Sequence, residues 1–151
     1  MKIILPFSVN IPRKTKEDRT FALNLNIYRN THHMILNKAK ELWDGIVNVP
    51  AGTKLPVEFP CLFIYRAFPE TNRKFDLGNV LSIVQKFTDD VLISRGVITD
   101  DSYKIIPAIN YRFGHVDKDN PRIELDIKVF TGDSCPECHR KITEEGSHEG
   151  D

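Results

Sequence analysis

Asn79-Val-Leu-Ser-Ile-Val-Gln-Lys-Phe-Thr-Asp-Asp-Val-Leu-Ile-Ser94, followed by Gly96, is the stretch on which the fold turns. Val80, Ile83, Val84, Phe87, Val91 and Leu92 recur at three- and four-residue spacing, the period of a helix that buries one stripe. Gly96 is a natural stop for it. Ahead of it, Val57 to Phe68 is an apolar, β-rich run expected to form a central strand, with Pro60 marking an edge or a late start. Behind it, Lys104 to Phe113 and Arg122 to Phe130 read as strands, the second alternating through Ile123, Leu125, Ile127 and Val129. Gly114 to Pro121 carries the polar and turn residues of a hairpin connection between them.

The N-terminal half completes the pattern. Lys2 to Val9 reads as a strand, and Arg13 to Arg19 as a charged loop. Phe21 to Ile27 fits either a short strand or an extended lead-in. Ile35, Ala39, Leu42, Trp43 and Ile46 then define a helix from about Asn30 to Val47, stopped by Pro50 and Gly52. The expected order is β-α-β-α-β-β, a single α+β domain over residues 1–132 with a mixed sheet. Residues 133–151 read as an appended acidic tail.

Composition narrows the class. The chain has 151 residues, 40% hydrophobic and 28% charged, enough for one domain with a core. No apolar run approaches a membrane span, and Met1 to Pro12 lacks the long apolar region and cleavage site of a signal peptide. With only three cysteines, and Cys61 in an apolar run, a reduced, cytoplasmic setting is expected. Net charge is zero, yet the tail holds six acids and two bases, leaving 19 bases against 15 acids, +4, in residues 1–132. Bulk charge that small would have to be supplemented by local basic clusters to hold phosphate.

Chemistry concentrates in three places: Arg73-Lys74-Phe75-Asp76-Leu77-Gly78-Asn79, then Lys86 with Asp90 four residues on, then Asp100-Asp101. A basic loop leads to a carboxylate at a helix start. Asn79, Lys86 and Asp90 share a helix side, and two acids follow the helix end. Carboxylates converging from a helix start and a later loop suit Mg²⁺, which phosphodiester hydrolysis uses, and a nearby lysine would stabilise charge on the reacting phosphate. A second reading needs no function: an acid at a helix start favours the dipole, Asp100-Asp101 is a turn, and Lys86–Asp90 is a surface pair. By spacing alone the second reading is the stronger.

These segments resemble the RusA family of Holliday junction resolvases. That family carries Asp-x-Asp-Asn at a loop-to-helix junction, a Lys and an Asp spaced as Lys86 and Asp90 are, and then a Gly followed by Asp-Asp. Asp76 and Asn79 match the ends of the first motif, and the stretch from Lys86 through Asp90 to Asp101 matches the rest. The resemblance covers roughly residues 2–130. Gly78 stands where the second Asp is expected, and four extra residues separate Asn79 from Lys86, about one helical turn. It implies a phage-type, Mg²⁺-dependent (or Mn²⁺-dependent) homodimeric endonuclease acting on branched DNA in recombination or repair. Asp76, Lys86 and Asp101 would be catalytic, and Asp76, Asp90, Asp100 and Asp101 would be candidate metal ligands. The lost acid at Gly78 opens an alternative: an inactive RusA-fold protein that binds DNA or a protein partner.

Two further groups bear on binding. Arg29, Asn30 and His32, with neighbouring Asn24, Asn26 and Tyr28, lie around a helix start where phosphate could be met. With Arg73, Lys74 and Asn79 they are the candidate nucleic-acid contacts; an ordinary polar helix entry is the alternative. Cys135-Pro-Glu-Cys138-His139, with His148, is half of a zinc motif. Its second half is missing, so a loosely structured tail is expected rather than a Zn²⁺ site.

Overall fold

The structure is a computed structural model that describes residues 1–55 and 60–129. Its elements are β1 (Lys2–Leu5), β2 (Ser8–Ile11), β3 (Arg19–Ala22), α1 (Leu25–Arg29), α2 (His33–Ile46), β4 (Cys61–Phe68), α3 (Leu77–Ser94), β5 (Ala108–Phe113) and β6 (Arg122–Val129). The protein is an α+β domain. A four-stranded mixed sheet has the order β1-β6-β4-β5, and β2 and β3 form a separate antiparallel hairpin.

β4 is the central strand, flanked by β6 and β5 and buried along nearly its whole length. Its side chains are buried on both faces of the sheet, so it reads as a continuous apolar run rather than an alternating one. Pro60 immediately precedes it, where the missing N–H costs no ladder bond. β6 alternates instead: Ile123, Leu125 and Ile127 are buried. The pairing register Ile3↔Leu125, Leu125↔Tyr65 and Tyr65↔Tyr111 carries one row of side chains across all four strands.

α3 is the crossover from β4 to β5, which pair in parallel. Phe87 is its anchor: it stacks on Phe21 at 6.3 Å and meets Tyr28 at 6.2 Å and Trp43 at 6.3 Å edge-on. Trp43 is fully buried, and its indole N–H donates to Thr88 Oγ1 at 3.2 Å, so this large side chain is both packed and satisfied. The helix stops as the sequence predicts. Gly96 has φ +65°, and the Val97 N–H donates to the Leu92 carbonyl at 2.8 Å, which closes the last turn. No helix among the described residues is long and apolar enough to cross a membrane.

Three local expectations are corrected. β5 and β6 are not a hairpin, because β4 lies between them. The 114–121 segment crosses the end of β4, held by Gly114 N–H to the Ala67 carbonyl and Asp117 N–H to the Pro69 carbonyl, both 2.9 Å. The expected strand from Lys2 to Val9 is broken in two at Pro6, which lacks the N–H a ladder needs. The 21–27 segment ends β3 and then enters α1, for which Asn24 Oδ1 accepts from the N–H groups of Asn26 and Ile27.

Candidate functional site

α3 has a chemically distinct site at each end. At its start Asp76 is the N-cap: Oδ1 accepts from Gly78 N–H at 2.8 Å and Asn79 N–H at 3.2 Å. This satisfies donors that the first turn leaves unpaired and places a negative charge on the favourable end of the dipole. The loop before it and the end of β5 enclose a cleft of about 400 Å³ lined by Thr71, Asn72, Arg73, Lys74, Phe75, Leu77 and Phe113. Arg73 and Lys74 are exposed, and neither forms an ion pair with a described residue.

Near the other end lies Asp89, 2% exposed on the sheet side of the helix. Its Oδ2 accepts from Gln85 Nε2 at 3.0 Å, and Gln85 Oε1 in turn accepts from the Tyr111 hydroxyl of β5. Asp89 Oδ1 and the Tyr65 hydroxyl are buried without a well-formed hydrogen bond, although Asp89 and Thr88 lie near enough to act on that hydroxyl. Burial pushes the Asp89 carboxyl up to about 6; Gln85 opposes the shift, the charges of Asp101 and Asp90 add to it, and Lys86 opposes it. Burial, with the Asp89 charge as the next cause, also raises the Tyr65 and Tyr111 phenols.

The expected site residues divide between these two places. Asp101 and Lys86, both exposed, act electrostatically on Asp89. Asp76 and Asp89 are thirteen residues apart on one helix, about 20 Å at 1.5 Å per residue. Asp90 faces away from the sheet and pairs with Lys40 of α2 at 2.7 Å. Asp100 Oδ1 accepts from Ser102 N–H at 2.8 Å, and its hydrogen bonds to Ser102 hold the carboxyl below its ordinary range. Asn79 sits in the first turn of α3 beside the Asp76 cap.

Of the N-terminal group, His32 caps α2 by accepting from Met34 N–H at 3.3 Å through Nδ1, and Asn30 donates to the Asn26 carbonyl at 2.8 Å. Arg29 closes α1 with its side chain exposed. Cys135, Cys138, His139 and His148, and the whole 133–151 tail, lie outside the described residues.

Asp89 and Phe113 are the residues that sequence reasoning passed over. A signal for Asp89 existed: Leu81, Gln85 and Asp89 follow at four-residue intervals, so the acid continues a side that begins with a buried leucine. Phe113 had none, because its exposure depends on where β5 ends against the 71–75 loop. No protein-family model matches the sequence, and it has no match among curated proteins.

Proposed function

We propose that this protein is a divalent-metal-dependent endonuclease of branched DNA, acting as a cytoplasmic homodimer in the manner of the RusA family its motifs resemble. The observation that carries the reading is Asp89: a buried, incompletely satisfied carboxylate on which the charges of exposed Asp101 and Lys86 act. Burying an acid without satisfying it is costly, and a strongly shifted carboxyl beside specific charges is a functional-site signature.

Asp89 and Asp101 offer carboxylate oxygens, the donor type a hard cation takes, and Mg²⁺ is commonly held by one or two carboxylates with water completing the shell. When bound, Mg²⁺ supplies charge neutralisation at the phosphate and activation of water. Lys86 adds positive charge beside the acids, where negative charge builds during phosphodiester cleavage. Arg73 and Lys74 supply sequence-independent phosphate contacts at the other end of the helix. Paired nicks across a junction require two equivalent sites, hence the two-fold dimer.

A second reading, DNA binding without cutting, is favoured by the engagement of Asp76 as a helix cap, Asp90 with Lys40 and Asp100 with Ser102. A labelled four-way junction incubated with the protein and Mg²⁺, against an EDTA control, separates the two. Metal-dependent cutting that disappears in Asp89→Asn and Asp101→Asn supports the nuclease; binding without cutting supports the second reading; neither binding nor cutting defeats both.

A further inference from the structure

The cleft between the 71–75 loop and the end of β5 combines features that neither the acidic site nor the helix cap uses. Phe113 is 53% exposed although it ends a strand of the main sheet, and its ring lines the cleft opposite the loop. Its mounting is fixed: Phe113 is in register with Ala67, and the next residue, Gly114, donates to the Ala67 carbonyl at 2.9 Å. The cleft's other apolar residues are half-buried Phe75 and Leu77, and Phe75 packs edge-on against Phe7 at 6.3 Å. Exposed Arg73 and Lys74 also line it, without ion-pair partners among the described residues, beside Thr71 and Asn72.

We propose that this cleft takes one unpaired nucleobase of a DNA strand, stacked on Phe113, with the adjoining phosphate held by Arg73 and Lys74. This rests on the DNA-binding part of the function proposed above and names where an unpaired strand is held. Charge complementarity selects an anionic ligand, and the exposed ring selects one with a flat π-face; a nucleotide has both. At about 400 Å³ the cleft is within the size range of small-ligand sites, roughly 300–1,000 Å³, which suits one splayed base and not a duplex. Bases at a branch are the least costly to unstack. The Asp76 carboxylate at the helix start disfavours a phosphate there, which leaves the two cations as the phosphate position.

The test uses the full chain with EDTA present, so that no strand is cut. A short oligothymidylate carrying one fluorescent base analogue is titrated with wild type, Phe113→Ala, Phe113→Trp and Arg73→Ala, alongside the same strand in a duplex. The expected result is binding of the unpaired strand with the analogue quenched, loss of about tenfold or more in Phe113→Ala, retention in Phe113→Trp, and duplex affinity changed less than about twofold by either ring variant. Thermal melts report whether each variant is folded; Phe113 is half-exposed, so its truncation leaves the core intact. Unpaired-strand affinity unchanged in Phe113→Ala, with Arg73→Ala still weakening junction or duplex binding, overturns the stacking site and leaves the DNA-binding function standing. Failure of wild type to bind DNA in any form overturns both.

Discussion

Lys40 Nζ of α2 lies 2.7 Å from Asp90 Oδ2 of α3, while the adjacent Asp89 turns its carboxylate toward Gln85 and the sheet. Two consecutive acids therefore have opposite environments, one in water and paired, the other buried and half-satisfied. The exposed pair is 36% and 46% accessible, and exposed pairs of this kind contribute about 1 kcal/mol or less. Asp90→Asn is therefore expected to change the melting temperature little and, on the proposed nuclease reading, to leave junction cutting intact. On the same reading, Asp89→Asn is expected to abolish cutting. Parallel melts and cleavage assays check this, and loss of cutting in Asp90→Asn with retention in Asp89→Asn would exchange the two roles.

Asp89 also fixes a pH dependence of stability. Its carboxyl titrates at about 6 in the folded protein against an ordinary 3.8. The folded state thus holds a proton that the unfolded chain has lost between these values, so this group's contribution is fully present below about pH 4. It disappears as pH rises through 6. The shift corresponds to about 3 kcal/mol. Asp117, lowered chiefly by its hydrogen bond from Arg122, and Glu124, lowered chiefly by Lys2, work the other way: their contribution is lost as pH falls through their folded values. The informative quantity is the difference between wild type and Asp89→Asn from pH 4 to 7.5, measured by chemical denaturation. The variant is expected to gain stability relative to wild type across that window and to be the more stable at neutral pH. A constant difference would remove the buried-charge interpretation.

Gly78 allows the start of α3 to be tested as a latent cation position. A Cβ built there lies 3.3 Å from Asp76 Oδ1, tight but adjacent to the carboxylate. Gly78→Asp, which introduces the acid that the RusA-type motif carries, is expected to lower the melting temperature in EDTA because two carboxylates crowd one helix start. Millimolar Mg²⁺ should restore it, with no comparable gain in wild type. Equal responses to Mg²⁺ in the two proteins would mean that positions 76 and 78 cannot share a cation.

The sequence was most legible where structure is local. The Asn79–Ser94 periodicity, the Gly96 stop and the Pro60 boundary each act within a few residues, and each corresponds to a feature of α3 or β4. Asp76 reads as a helix-start acid for the same reason, and it is the N-cap of α3. Strand order was not legible: Gly114–Pro121 has turn composition, but its path is set by where β5 pairs with β4, a consequence of the α3 crossover. Asp89 was obscured by its neighbour, since an Asp-Asp pair on an amphipathic helix is naturally assigned to the solvent side. Only the sheet's position, with Tyr65 and Tyr111 facing α3, separates the two acids.

The crossing over β4 packs on one ring. Phe68 ends β4; His115 meets it edge-on at 5.0 Å, and the Arg122 guanidinium lies 4.2 Å from its centroid. Arg122 is itself held by Asp117 at 2.7 Å and Glu124 at 2.8 Å, so both ends of the 114–121 segment converge on Phe68. A Cβ at position 114 would run into the ring, which makes glycine a requirement of close approach rather than of a turn. Gly114→Ala is expected to destabilise the fold by about 1–3 kcal/mol through overpacking. Because the obstacle is a single side chain, the same substitution should cost much less in a Phe68→Leu background, a coupling that a double-mutant cycle measures directly. If the two changes are additive, the Phe68 ring is not the obstacle at position 114. If they couple, it is, and the ring sets the close approach that glycine permits beside Phe113.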